Sequence, residues 1–176
     1  MHTDGRMKKL RPSGYARTTR QRPRADGSAR GGMGSAQGSG AFERPPLVLV
    51  VDDNPDNREL FRECLSASGY RIAEASDGQL ALELAKRDVP DIIVMDLNMP
   101  IMDGYATTRS LKDDPRTKHI PVVVVTACGV SSHARAERAG CDAFLVKPCL
   151  PEDLEGVVRA TLLLRRPALS AAASSA

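Results

Sequence analysis

Asp52-Asp53, Asp96, Thr126 and Lys147 are residues whose types could do chemistry together if the fold collects them. Each follows an apolar run. Leu47-Val48-Leu49-Val50-Val51 precedes the acidic pair, Ile92-Ile93-Val94-Met95 precedes Asp96, Val122-Val123-Val124-Val125 precedes Thr126, and Ala143-Phe144-Leu145-Val146 precedes Lys147. Three carboxylates in one place repel and raise one another's pKa values unless a cation intervenes. With no His or Cys at matching positions, the hard oxygen donors favour Mg²⁺ over zinc. Lys147 adds a fixed positive charge and Thr126 a hydroxyl. Such a set can bind a phosphoryl group and neutralise its oxygens as charge spreads over them. No Ser or Cys nucleophile is in view, and a carboxylate can itself attack phosphorus to form an acyl phosphate.

Singly, each residue is ordinary. A strand-end Asp is more often a cap or turn residue, Thr is common in strands, and Lys-Pro is usually loop. Their value lies in their recurrence at four strand ends, so the elements that carry them matter. Continuous Val/Ile/Leu runs suit strands buried on both faces. Strands are expected at Leu47–Val51, Arg71–Ala75, Asp91–Asp96, Val122–Val125 and Ala143–Val146, with Pro100 and Gly104 stopping the third. Helices fill the intervals. The first opens at Asn54-Pro55, turns Leu60, Phe61, Cys64 and Leu65 inward, and closes at Gly69. The second starts at a Ser76-x-x-Gln79 capping box and lines its inner face with Leu80, Ala81, Leu84 and Ala85. A third runs from Gly104 to about Lys112. The fourth, about Ser131 to Ala139, is rich in Ala and Arg, so shallow packing and mobility are expected. The last shows a stripe of Leu154, Val157, Val158 and Leu162, with Leu150 a poor N-cap.

Five strand–helix alternations with apolar strands make an α/β fold: a doubly wound, five-stranded parallel sheet with helices on both faces, flavodoxin-like. All strand C-termini then share one edge, where open α/β sheets hold ligands. The chain of 176 residues has room for one such domain and a tail. Residues 1–46 hold ten Lys/Arg against three Asp/Glu, a balance of +7, and the remaining 130 hold 15 against 19, a balance of −4. The Arg/Gly/Ser-rich first segment has almost no apolar periodicity and is expected to be a disordered tail. It is a solvated extension, an electrostatic arm for nucleic acid, anionic lipid or an acidic partner, or in part upstream of a start at Met7 or Met33. Residues 167–176 form a second, Ala/Ser-rich tail.

Cys64, Cys128, Cys141 and Cys149 show no C-x-x-C spacing, and no long apolar run or secretory signal is present. Core-filling thiols in a cytoplasmic protein without a membrane span are expected. Cys128 and Cys149, two residues beyond Thr126 and Lys147, leave a redox role open.

From about Leu47 to Arg165 the chain resembles the receiver domain of two-component response regulators. The strongest match is Met95-Asp96-Leu97-Asn98-Met99-Pro100-Ile101-Met102-Asp103-Gly104, joined by Asp52-Asp53, Thr126-Ala127 and Lys147-Pro148. The resemblance implies a receiver domain over 47–166 with Asp96 as phosphoacceptor. It implies Mg²⁺ held by Asp53, Asp96 and the backbone carbonyl of Asn98, with Asp52 acting through water. Thr126 and Lys147 would bind the phosphoryl group, and Lys147-Pro148 would be cis. Thr126 would move inward on phosphorylation and let Phe144 rotate, shifting the fourth helix. Phe144 stands where many relatives carry Tyr.

The implied partners are a histidine kinase or histidine phosphotransfer protein and a downstream protein as yet unknown. The chain would catalyse only its own phosphorylation and dephosphorylation. It would act as a stand-alone regulator, without sequence-specific nucleic-acid binding, since no helix-turn-helix pattern follows the domain. Two other readings stand beside this one. One is an aspartyl-phosphate hydrolase, which would want a second Asp where Asn98 stands. The other is a regulator whose basic tail meets nucleic acid without base specificity.

Overall fold

Alternation within the apolar runs decides the layers. Successive strand side chains point to opposite faces, so Leu49, Val51, Ile93, Met95, Val122 and Val124 collect in one core and Val48, Val50, Ile92, Val94, Val123 and Val125 in the other. A computed structural model describes Phe42 and residues 44–100, 102–127 and 132–165. Both expected tails, apart from Phe42 and residues 44–46, lie outside the described residues, and so does Cys128.

Strands Leu47–Val51 (β1), Arg71–Ala75 (β2), Ile92–Met95 (β3), Val122–Thr126 (β4) and Ala143–Val146 (β5) alternate with five helices. These are Pro55–Ala67 (α1), Gly78–Asp88 (α2), Gly104–Asp113 (α3), His133–Ala139 (α4) and Pro151–Arg165 (α5). All strands are parallel, in the order β2-β1-β3-β4-β5. Ala81, Leu84, Ala85, Leu111 and Ala136 place α2, α3 and α4 over the first core. Phe61, Leu65, Leu154, Val158 and Leu162 place α1 and α5 over the second. This is the doubly wound architecture read from the apolar runs.

Several local expectations shift. β3 is shorter than expected, Ile92–Met95 in place of Asp91–Asp96, and the Asp91 side chain instead holds the start of β1. It accepts the Leu47 N–H at 2.7 Å and both terminal nitrogens of Arg44 at 2.9 and 3.0 Å. The N-cap of α2 is Asp77, whose carboxylate accepts the Leu80 N–H at 2.9 Å, while Ser76 only donates to Asp77. A carboxylate is the stronger acceptor at a helix N-terminus. Leu60 is not inward: it stays 49% exposed, with Phe61 and Leu65 taking the buried face of α1. At the start of α5, Leu150 has no capping side chain, and Asp153 compensates by accepting the Leu150 N–H at 3.3 Å. α4 buries only Ala136 and Ala139, so its packing is as shallow as its composition suggests.

The join of β4 and β5 to the helices rests on Asp142. Its carboxylate accepts the Val122 N–H and the Lys112 ammonium, each at 2.8 Å, and pairs with Arg165. Burial alone would raise its pKa, but the Lys112 and Val122 hydrogen bonds outweigh it and hold the carboxyl below its ordinary value.

Candidate functional site

β1 and β3 are neighbours in register, Val51 opposite Met95, so the residues that follow them meet at the C-terminal edge. One carboxylate oxygen from each of Asp52, Asp53 and Asp96 lies within 4.8 Å of the others. Asp52 is 1% exposed and Asp96 7%, while Asp53 opens to solvent. The all-oxygen donor set, partly buried and open on one side through Asp53, fits a hard cation such as Mg²⁺.

Backbone bonds fix both buried acids. The Asp52 N–H donates to Ala75 O at 3.2 Å and the Asp96 N–H to Val51 O at 2.8 Å. Asp52 is also gripped from α1. Its Oδ1 accepts the Asn54 N–H at 2.9 Å, and Asn57 Nδ2 reaches Oδ1 at 3.2 Å and Oδ2 at 3.1 Å. Arg58 donates to the carbonyls of Asp52 at 2.8 Å and Asp53 at 3.2 Å. Sequence reasoning missed Asn57 and Arg58. The usable signal was an Asn inside a helix, where it is a poor former, one turn after the N-cap Asn54.

Lys147 reaches across from the end of β5. Its ammonium lies 2.6 Å from Asp52 Oδ2 and 3.5 Å from Asp96 Oδ1. Thr126, fully buried at the end of β4, accepts the Lys147 N–H on its carbonyl at 2.9 Å, which ties the two strand ends together. The Lys147–Pro148 bond is cis.

The Asp96 pKa is raised. Burial is the main cause, with the charge of Asp52 adding to it, and Lys147 opposing. The repulsion that Asp52 exerts on Asp96 is second to desolvation, which the residue types alone did not reveal.

The loop after Asp96 is held close. The Asn98 N–H donates to Asp96 Oδ2 at 3.3 Å, and the Gly104 N–H donates to Leu97 O at 3.1 Å. A Cβ on Gly104 would sit 2.1 Å from the Asp96 carbonyl oxygen, so only glycine lets α3 start against this strand end. Phe144, half-buried on β5, meets the His133 ring edge-on with centroids 5.0 Å apart, so it touches the first residue of α4. Arg135 of α4 stacks over Tyr105 at 3.9 Å and reaches Asp103 at 3.3 Å. Cys149 is partly buried, and burial pushes its thiol up, which disfavours the reactive thiolate.

The profile of the response regulator receiver domain matches residues 48–159. The chain belongs to the receiver domain family. As such it is the receiver domain of a response regulator in two-component signalling.

Among curated relatives, this receiver is 47% identical over 102 residues to response regulator PleD of Caulobacter vibrioides, a match covering 57% of this chain and 22% of PleD. It is 41% identical over 105 residues to the polar-differentiation response regulator DivK of Brucella anthropi, covering 59% of this chain and 85% of DivK. Among solved structures, the receiver domain of a sensor histidine kinase from Pseudomonas aeruginosa is similar at 28% identity. That alignment has a TM-score of 0.64 and covers 67% of this chain and 98% of that one. The Pseudomonas domain was determined with a magnesium ion coordinated in its active-site cleft. Among the described residues, no helix of this receiver is long and apolar enough to cross a membrane.

Proposed function

We propose that this receiver takes a phosphoryl group from a phospho-histidine donor onto Asp96 and signals through a protein-binding face. The reading is carried by one observation: the Lys147 ammonium lies between two buried carboxylates at the shared strand edge, 2.6 Å from Asp52 and 3.5 Å from Asp96. A buried, partly unneutralised carboxylate beside a fixed cation is equipped to attack phosphorus. A carboxylate oxygen of Asp96 forms the new P–O bond as the P–N bond to the donor imidazole breaks, and the imidazole leaves with that electron pair.

Asp53, Asp96 and the Asn98 carbonyl would hold Mg²⁺, with Asp52 acting through water. Its chemistry would be charge neutralisation on the phosphoryl oxygens. Thr126 and Lys147 would bind those oxygens. Phe144 would relay the change to α4 through His133. Because α4 buries only two alanines, little packing opposes its displacement.

The partners are a histidine kinase or histidine phosphotransfer protein and a downstream protein that reads the α4–β5 region, or onward phosphotransfer. Activity is confined to its own phosphorylation and dephosphorylation, in the cytoplasm. The domain is assigned to residues 47–166.

Acetyl phosphate, or a phospho-histidine donor, with Mg²⁺ yields an acid-stable, base-labile adduct on the wild-type chain and none on Asp96→Asn. Mass spectrometry of both proteins tests this. Equal adduct on the two, or none on wild type, overturns the assignment.

A further inference from the structure

One of the three carboxylates at the site is held differently from the other two. Asp52 is gripped directly by Asn57, the Asn54 N–H and Lys147, and Asp96 by the Asn98 N–H and Lys147. Asp53 is the exposed member, and among the described residues its carboxylate makes no hydrogen bond and no ion pair. What holds Asp53 is its main chain. Arg58 Nη1 donates to the Asp52 carbonyl at 2.8 Å and to the Asp53 carbonyl at 3.2 Å. Those carbonyls belong to the two planar peptide units on either side of the Asp53 Cα, and fixing both fixes the direction in which its side chain leaves the backbone.

Arg58 is itself anchored. Its Nε lies 3.6 Å from Glu74 Oε2, while Glu74 Oε1 lies 3.6 Å from Arg62 Nε, and Arg62 pairs in turn with Glu59. Glu74 sits on β2 opposite Val50 of β1, so the anchor belongs to the sheet and not to the loop. The Arg58 side chain is 19% exposed, so its guanidinium has lost most of its water and depends on these partners. A planar fork serves carbonyls with one end and a carboxylate with the other, which the point charge of an ammonium cannot do.

Such rigidity has a chemical consequence. Mg²⁺ takes oxygens at about 2.0–2.1 Å in a near-ideal octahedron, whereas Ca²⁺ takes about six to eight at about 2.3–2.6 Å in flexible geometry. Ca²⁺ fills that larger shell by letting carboxylates turn, into bidentate contact for example, and a pinned Asp53 denies it that freedom. We infer that Arg58, anchored by Glu74, is a positioning residue that fixes the direction of Asp53 and so makes the site prefer Mg²⁺ to Ca²⁺. This role presupposes the Mg²⁺ ligands proposed above. The charge of Arg58 cannot supply the preference, because a cation beside the site repels both divalent ions alike.

Isothermal titration calorimetry of the full chain with MgCl₂ and with CaCl₂, without a phosphoryl donor, reads both dissociation constants. In Arg58→Lys, which keeps the charge, the Mg²⁺ constant rises about ten-fold, while the Ca²⁺ constant changes by less than about two-fold. Glu74→Gln, on the strand and outside the site, moves the ratio of the two constants the same way by less, because a partly exposed ion pair is weak. The double variant has the ratio of Arg58→Lys alone, since Glu74 acts through Arg58. A ratio unchanged in both single variants, or equal weakening of the two ions, overturns the role of Arg58 and leaves the metal assignment standing. A wild-type chain that binds no Mg²⁺ removes the metal assignment and this role together.

Discussion

Asn57 shows how much of the site depends on a residue that performs no chemistry. Asp52 is nearly sealed from water, and a buried carboxylate is tolerable only when its oxygens are satisfied. Asn57 serves both oxygens, and Lys147 and the Asn54 N–H supply the rest. Replacing Asn57 with Ala removes the side-chain amide and leaves part of the charge unpaired. The expected loss is about 1–3 kcal/mol of stability, read by urea denaturation. The Asp96 adduct still forms, but more slowly, because Asp52 and Lys147 lose their fixed spacing.

Gly104 makes the complementary case in steric terms. Gly104→Ala must push α3 away from the Asp96 carbonyl, since backbone cannot give way as a side chain can. The loss is about 3 kcal/mol or more, visible in the urea midpoint, with adduct yield falling alongside.

Element by element, the strands and the order of helices were legible, and the reason is physical. Val/Ile runs of four or five residues between polar loops leave few alternatives for a buried parallel strand. The strand-end residues were legible for the same reason, because a parallel sheet brings all its C-terminal ends to one edge. Pairwise contacts across the sheet were not. That Asp142, just before β5, would bond both β4 and α3 depends on tertiary register, and nothing in its neighbours Cys141 and Ala143 signals it. The cap at Asp77 rather than Ser76 turned on one residue of phase, which a four-residue motif cannot resolve. Leu60 was misplaced because a helical stripe read from spacing has no independent edge. It lies one position outside the strip that the sheet covers.

Asp142 also supplies the pH dependence at this scale. Its folded pKa lies below the ordinary unfolded value of about 3.9. The carboxylate therefore adds stability that is fully present above that value and disappears as pH falls through the folded pKa. Asp142→Asn is expected to be less stable than wild type at pH 7. The gap between the two narrows as the pH drops through the acid range, and thermal melts from pH 7 to 2 follow it. A gap that holds constant across that range would contradict the assignment.

At the scale of the whole molecule, charge is segregated along the chain. A basic segment of +7 over residues 1–46 precedes an acidic remainder of −4, so the formal +3 describes no surface the protein presents. The two parts meet at Arg44, Asp91 and Leu47, where one carboxylate clasps an arginine fork and the first strand N–H together. That junction has a mechanical meaning. β1 is bonded to β2 on one side and β3 on the other, so a pull on the chain upstream of Phe42 loads the clasp first. It then shears two ladders at once along their length. A pull on α5 meets side-chain contacts, the Arg165–Asp142 ion pair and the Tyr70–Glu155 hydrogen bond among them, but no strand ladder, and peels the helix away. A processive protease that starts from the N-terminal side therefore faces the stiffer end of the molecule. Optical-trap unfolding should record a higher rupture force with the handle at residue 41 than with it at residue 166, both measured against a fixed anchor on α2.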